Sequence, residues 1–368
     1  MNGGRLSIDG DNITVAGQTA PSPGITLIKT NLNVTGNNIV VSHIAIQRGT
    51  GASISDTANI RGDNIVFDHV STWWGTDEVL SIHGSDNVTL YKSIIAEGLQ
   101  FAGHEDGEHS KGSLINNSPT RLAMVGTLYA NNAARSPRID GGEIFLANHV
   151  VHNWGRFWDE PLGSGNKVFN QSELESCTIC FNKAIQIRSG NNATLVNSVA
   201  VRGPDGFDGQ YFISGHAGKG NLFEENNMIV DQSGNPLTVV NPAEINELSS
   251  PRIWPDGFEP LPTAEGFYEV LRTAGPRPGD RDFHHHRLIT QIATQDIPGV
   301  SEIIDTEDEV GGYPAYKSSS RSLNNIPSTA EARRIWLDEM EDAIAVDRDI
   351  DLSYLYGLVG SVGDDRLR

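Results

Sequence analysis

Asn12-Ile13-Thr14-Val15, Asn38-Ile39-Val40-Val41, Asn64-Ile65-Val66-Phe67 and Asn87-Val88-Thr89-Leu90 are four versions of one short phrase, starting 26, 26 and 23 residues apart. Each begins with Asn, continues in β-branched or apolar residues and is fenced by Gly, Asp, Asn or Ser. Weaker copies start at Arg121, Glu143, Lys167, Asn192 and Asn221. Such runs, alternating with a period of two between turn residues, read as strands. Almost no helical periodicity interrupts residues 10–230. A strand that returns every 22–34 residues without helices between marks a solenoid. A propeller blade needs about 40–50 residues, and a leucine-rich repeat needs its own leucine frame. The spacing therefore predicts an all-β parallel β-helix, in which each turn lays its strands on those of the turn before. One turn cannot bury its apolar face alone, and stacking makes the core continuous. Asn suits the turn position because it tolerates left-handed φ and bonds to nearby backbone.

The 368 residues carry 27 Lys and Arg against 47 Asp and Glu, a formal net charge of −20. That excludes a polybasic nucleic-acid binder driven by phosphate neutralisation. No apolar run is long enough for a transmembrane helix. No basic run followed by an apolar segment opens the chain, and the first strand follows within about ten residues, so we expect the natural protein to carry a further N-terminal cap. Cys177 and Cys180 lie in a strand-like context rather than opening a helix, and read as structural thiols. The pattern divides the chain into a β-helix over 1–235 and a C-terminal extension over 236–368 that wraps or caps it as part of the same unit. The extension holds two expected helices. One runs from Thr263 to Thr273 and is stopped by Gly275; the other runs from about Thr329 to Val346 behind a capping box at Ser328-Thr329-Ala330-Glu331. His284-His285-His286 reads as a loop.

Stacking also brings residues some 20–25 apart in sequence onto one face. Asp56, then Asp77 and Glu78, then His109 and Lys111, then Arg135 and Arg138 fall at equivalent places on successive turns. Carboxylate oxygens favour Ca2+. Clustered Lys and Arg favour a carboxylated or sulfated ligand. A solvated surface with local salt bridges gives the same pattern.

Asn64-Ile65-Val66-Phe67-Asp68-His69, Asp77-Glu78-Val79-Leu80-Ser81-Ile82, His109-Ser110-Lys111-Gly112-Ser113-Leu114 and Arg135-Ser136-Pro137-Arg138-Ile139 resemble the ordered motifs of the pectate lyase family 1 superfamily. Ile13 to Pro21, His152-Asn153-Trp154-Gly155, Asp280-Arg281-Asp282 and Gly311-Gly312-Tyr313-Pro314 resemble a bacterial branch of it. The resemblance implies a right-handed parallel β-helix and a lyase that cleaves pectate or a related polyuronate by β-elimination, and the size of such a substrate leads us to expect a secreted protein. It implies Ca2+ at Asp56 and Asp77, a substrate-carboxylate role for Lys111 and a catalytic role for Arg135. Ser81 stands where the family carries a third carboxylate. Glu78 is next to Asp77, but neighbours on a strand face opposite ways. Asp140 stands where the family carries a second arginine, for which Arg138 is the available substitute. His109 and Trp74 complete the expected substrate-binding set, Trp74 by stacking on a sugar ring. The expected partner is an acidic polysaccharide, with no nucleic acid and no membrane, and the expected state is a monomer.

Elimination removes the proton at C5, alpha to the C6 carboxylate, and expels the C4 oxygen. Cations at that carboxylate stabilise the transition state. Free guanidinium has a pKa above about 12, so an arginine base requires surroundings that disfavour its charge. His109 or Lys111 is the easier base. Two other readings stay open. A β-helix hydrolase needs two flanking carboxylates, and the Asp-Asp pair of this chain, Asp364-Asp365, is in the tail. A non-catalytic polyuronate-binding protein fits the departures at Ser81 and Asp140.

Overall fold

The computed structural model describes residues 4–51, 53–105, 107, 109–117, 121–155, 183–206, 210–295, 303–315 and 319–360. Cys177, Cys180, the Lys167 repeat and Asp364-Asp365 lie outside the described residues.

Among the described residues the strands form three sheets of eight, nine and eight, in which every third strand of the chain joins the same sheet, except that the last, Ile245–Glu247, follows two strands after its neighbour Gly220–Glu225. All strand pairings within the sheets are parallel. The chain is a parallel β-helix, as the repeat predicts. The Asn phrases supply the second sheet, in register: Ile13 lies beside Ile39, Ile39 beside Ile65 and Ile65 beside Val88. One inward column runs Val41, Phe67, Leu90, Met124, Leu146, Leu195, each paired with the next. All six are buried in one core. Each side chain of such a column covers the one below, so the apolar interior is shared by all turns and no turn is stable alone.

The repeated Asn marks the corner entering this sheet. Asn12, Asn38, Asn64 and Asn87 adopt φ between 57 and 59°. Each later Nδ2 donates to the Oδ1 of the turn before, at 3.0, 2.9 and 2.7 Å. Asn pays little for left-handed backbone, and its amide both donates and accepts, so one residue type solves the turn and links it to its neighbours. The corner leaving the sheet is left-handed too, at His43, His69, Lys92, Asn148, Asn197 and Asn226.

The second sheet continues past residue 235 to a strand at Ile245–Glu247. Beyond it the chain returns along the third sheet. The helix Thr263–Thr273 has the expected bounds. Its Phe267 and Leu271 join Ile94, Leu128, Val150 and Val199 in a second apolar core. The His triplet is not a loop. It opens a helix, Phe283–Thr294, capped by Asp282, whose Oδ1 accepts from the His285 backbone N–H at 2.9 Å. His284 and His285 are buried, with Nε2 of His284 on the Gly312 carbonyl at 2.7 Å and Nε2 of His285 on the Ser71 hydroxyl at 2.7 Å. Imidazoles at inward positions break the apolar stripe, which is why the period is hard to read. The last long helix is shorter than expected, Ala330–Asp342, and Thr329 rather than Ser328 is its cap, accepting from the Ala332 N–H at 3.3 Å. No helix among the described residues is long and apolar enough to cross a membrane.

Candidate active site on the first sheet

The chemistry-bearing residues collect where strands of the first sheet begin. Asp56 lies two residues before the strand Ala58–Ile60, Glu78 opens Glu78–His83, Lys111 opens Lys111–Asn116, and Arg135 lies just before Arg138–Ile139. Glu78 pairs with Lys111 in register, and Lys111 bridges Ala134. Gly112 makes this closeness possible. A Cβ there would lie 2.6 Å from the Arg135 carbonyl and 3.0 Å from the Tyr129 ring.

Carboxylate oxygens of Asp56, Asp77 and Glu78 lie within 4.8 Å of one another. Glu78 therefore does not face away from Asp77. The strand starts at Glu78, and Asp77 still belongs to the turn, so strand alternation does not apply between them. Asp56 also accepts from the Glu78 N–H at 3.0 Å. Burial first, and then the charge of Asp77, push the Asp56 carboxyl up to about 6, against the opposing influence of Ser81, His83 and Asn59. Ser81 is fully buried beside this carboxylate group, so a neutral hydroxyl does stand next to it.

Asp77 is held in its charged form. Burial opposes that charge, but a hydrogen bond from His109 and the charges of His109, His104 and Arg135 outweigh it and keep the carboxyl below the usual range. Nε2 of His109 donates to Asp77 Oδ1 at 2.8 Å, and Nζ of Lys111 donates to His109 Nδ1 at 3.1 Å. His104 stacks on the His109 ring at 3.7 Å between centroids. Both nitrogens of His109 are thus engaged, which suits it to aligning Lys111 and leaves no lone pair for taking a proton from substrate.

Arg135 sits in left-handed backbone, φ 62°, and its guanidinium forms an ion pair with Glu78. Burial first, and then the charge of Arg138, push the guanidinium down to about 10, while Asp77, Asp140 and Asp56 pull the other way. Arg138 is bound by Asp140 through both oxygens, Nε to Oδ1 at 3.0 Å and Nη2 to Oδ2 at 2.5 Å. Arg188 Nη1 lies 3.5 Å from the same Asp140 Oδ2. Arg188 is a member that reading from sequence missed, and Glu78 one that it set aside as facing away. The register supplies the missing signal for the first. Arg138 pairs with Gln186, so residue 188 stands opposite residue 140.

Trp74 is not in the groove. It is fully buried, its Nε1 donates to Glu97 Oε2 at 3.0 Å, and its ring is packed edge-on against His284 and Tyr313. The C-terminal extension covers it, and no face remains for a sugar. Trp73 is core as well. His69 belongs to a different corner, and His83 bonds Asn116 at 2.6 Å on the first sheet.

No family model matches the sequence. The curated proteins do. A probable pectate lyase C of Aspergillus flavus is 33% identical over 197 residues, 52% of this chain and 40% of its own length. Its counterpart in Neosartorya fischeri is 35% identical over 168 residues, 45% of this chain and 36% of its own. Over about half of its length the chain is similar to these curated pectate lyases. It spans about two fifths of the length of the curated relatives it matches. Among solved structures, a thermostable pectate lyase superposes with a TM-score of 0.53 at 14% identity, over 74% of this chain and 69% of that one. At that identity the likeness speaks for the fold, the right-handed parallel β-helix that pectate lyases share.

Proposed function

We propose that this protein is a polysaccharide lyase that cleaves polygalacturonate or a related polyuronate by β-elimination. The observation that carries the reading is the order of groups along one sheet face: three converging carboxylates, then Lys111, then Arg135 with a lowered pKa. The donor set of Asp56, Asp77 and Glu78 is oxygen only and anionic, which fits Ca2+ rather than a softer ion. Bound there, Ca2+ would supply positive charge to a substrate carboxylate.

Lys111, aligned by His109, binds the C6 carboxylate of the reacting residue and stabilises charge as it builds there. The neutral form of Arg135 takes the C5 proton. The C5–H electrons form the C4–C5 double bond, and the C4–O bond breaks to release the other sugar chain. Water protonates the departing oxygen, and Arg135 then returns its proton to solvent. With a pKa of about 10, roughly one Arg135 in 10³ is neutral at pH 7, and tenfold more for each further pH unit. Arg138, Arg188 and His104 line the same groove as substrate-binding groups. A polymeric substrate of this size carries with it a working place outside the cell.

A second reading is favoured by one observation. Asp56, pushed up to about 6, beside an Asp77 held charged, is the split that a hydrolase uses for its acid and its base. Product chemistry separates the two. The protein is incubated with polygalacturonate, methylated pectin, alginate and glucuronan, each with Ca2+ and with chelator, while ultraviolet absorbance and reducing ends are followed together. A lyase gives both signals in step, strongest on polygalacturonate with Ca2+. Reducing ends without absorbance would replace the lyase by a hydrolase, and neither signal would leave a binding protein.

A further inference from the structure

Away from the groove, at the corner between the second and third sheets, His43 and His69 occupy the same left-handed position on successive turns, with φ of 56 and 54°. Their rings stack at 4.8 Å and 9°. Where later turns use Lys92, Asn148 and Asn197 at this corner, these two turns use imidazoles. Both are buried.

Their tautomers follow from their partners. His43 Nδ1 lies 2.8 Å from the Pro276 carbonyl, and His69 Nδ1 lies 2.7 Å from Asp68 Oδ1. Each partner only accepts, so each Nδ1 carries the hydrogen and, in the neutral ring, each Nε2 is a bare lone pair. Neither buried Nε2 has a hydrogen-bond partner among the described residues. His43 Nε2 lies 3.4 Å from Glu341 Oε2, and one ligand atom from each of His43, His69 and Glu341 lies within 4.8 Å of the others. With both rings neutral, two buried imidazole lone pairs face a half-exposed carboxylate, an arrangement that either a proton on His43 or a bound cation relieves.

We infer that His43, His69 and Glu341 form a binding site for a divalent transition ion of the zinc class. Two imidazoles and one carboxylate make a borderline donor set that prefers zinc to calcium. The Nδ1–H bonds to a carbonyl and a carboxylate are the outer contacts that orient metal-bound histidines. A separation of 3.4 Å between His43 and Glu341 already suits two ligands at about 2.0–2.2 Å from one tetrahedral ion. The site also has a structural consequence. Glu341 is on the helix Ala330–Asp342, none of whose side chains is buried. With little apolar packing of its own, that helix would be pinned by the ion to two turns of the β-helix.

The test is zinc binding by the full chain, stripped with chelator and titrated with zinc chloride in the presence of excess Ca2+. Bound metal per chain is measured after gel filtration, and thermal melts are run in parallel. The expected result is one tight equivalent and a higher Tm with zinc. His69→Gln weakens that equivalent by ~100-fold or more. So does Glu341→Gln, a change at the edge of a surface helix that leaves the circular dichroism spectrum unaltered, and its Tm no longer responds to zinc. His104→Ala, which opens the His-containing cluster in the groove, leaves the equivalent in place. No tight zinc on the unaltered protein would overturn the inference and make the corner a plain His43–Glu341 ion pair. Zinc retained by His69→Gln and Glu341→Gln, or lost only in His104→Ala, would overturn it equally.

Discussion

Asp140 holds Arg138 with both carboxylate oxygens, at 3.0 and 2.5 Å. Asp140 stands where the family resemblance calls for a second arginine. Arg138 is the strongest charged influence lowering Arg135, and Asp140 opposes it. The two thus bias the proposed base in opposite directions. For a base the active form is the unprotonated one, so kcat/KM rises with pH and levels near the pKa of Arg135, about 10. Asp140→Asn removes an anion and moves that bend to lower pH. Arg138→Gln removes a cation and moves it to higher pH. Initial rates over the alkaline range check both shifts, and equal movement by both variants would separate Arg135 from the pH profile.

Arg135→Lys keeps a cation beside Glu78 but changes the base and its geometry. We expect kcat to fall by about 10²-fold or more while Tm stays near that of the unaltered protein. Kinetics at saturating polygalacturonate, beside a melt, decide it. Near-normal turnover would remove Arg135 as the base.

Lys111 and His109 divide one task. Lys111→Ala loses a charge that stabilises the transition state, and kcat falls by about 10²–10³-fold. His109→Asn leaves Lys111 present but unaligned, giving a smaller loss in kcat. A His109 variant weaker than the Lys111 variant would make the imidazole more than a positioning group.

The raised Asp56 carboxyl makes its own stability signature. Its folded pKa of about 6 is above the ordinary 3.8, so the folded state favours the protonated form. In chelator its contribution is greatest below pH 4 and is lost as pH rises through about 6. Asp56→Asn abolishes that part of the pH dependence, which melts of both proteins between pH 4 and 8 measure. Ca2+ favours the ionised carboxylates, so adding it flattens the same slope in the unaltered protein. A slope that survives Asp56→Asn assigns it to other groups.

The Asn ladder accounts for why so much of the fold was legible in sequence. Asn64 must be left-handed and must also bond above and below, so its identity recurs at the coil's own period. Asn64→Ala loses both bonds and the tolerance for φ 57°, and we expect a destabilisation of about 1–3 kcal/mol in denaturant unfolding. The stacking of Asp56, Lys111 and Arg135 followed from the same period. Other features were not legible because they depend on contacts outside it. Glu78 turns inward because the strand begins one residue later than the alternation rule assumes. Trp74 looks like a sugar platform until the helix Phe283–Thr294 is placed over it, and that helix is hidden by its own inward imidazoles. Arg188 needs the register across the residues between its strand and that of Arg138.

The most direct measurement is cleavage of polygalacturonate in water enriched in heavy oxygen, with products read by mass spectrometry. Elimination adds no water across the broken bond, so the expected products carry no heavy oxygen at the new ends, and each cleavage yields one unsaturated terminus. One heavy oxygen per cleavage, with saturated termini, would contradict the lyase and return Asp56 and Asp77 to the roles of acid and base.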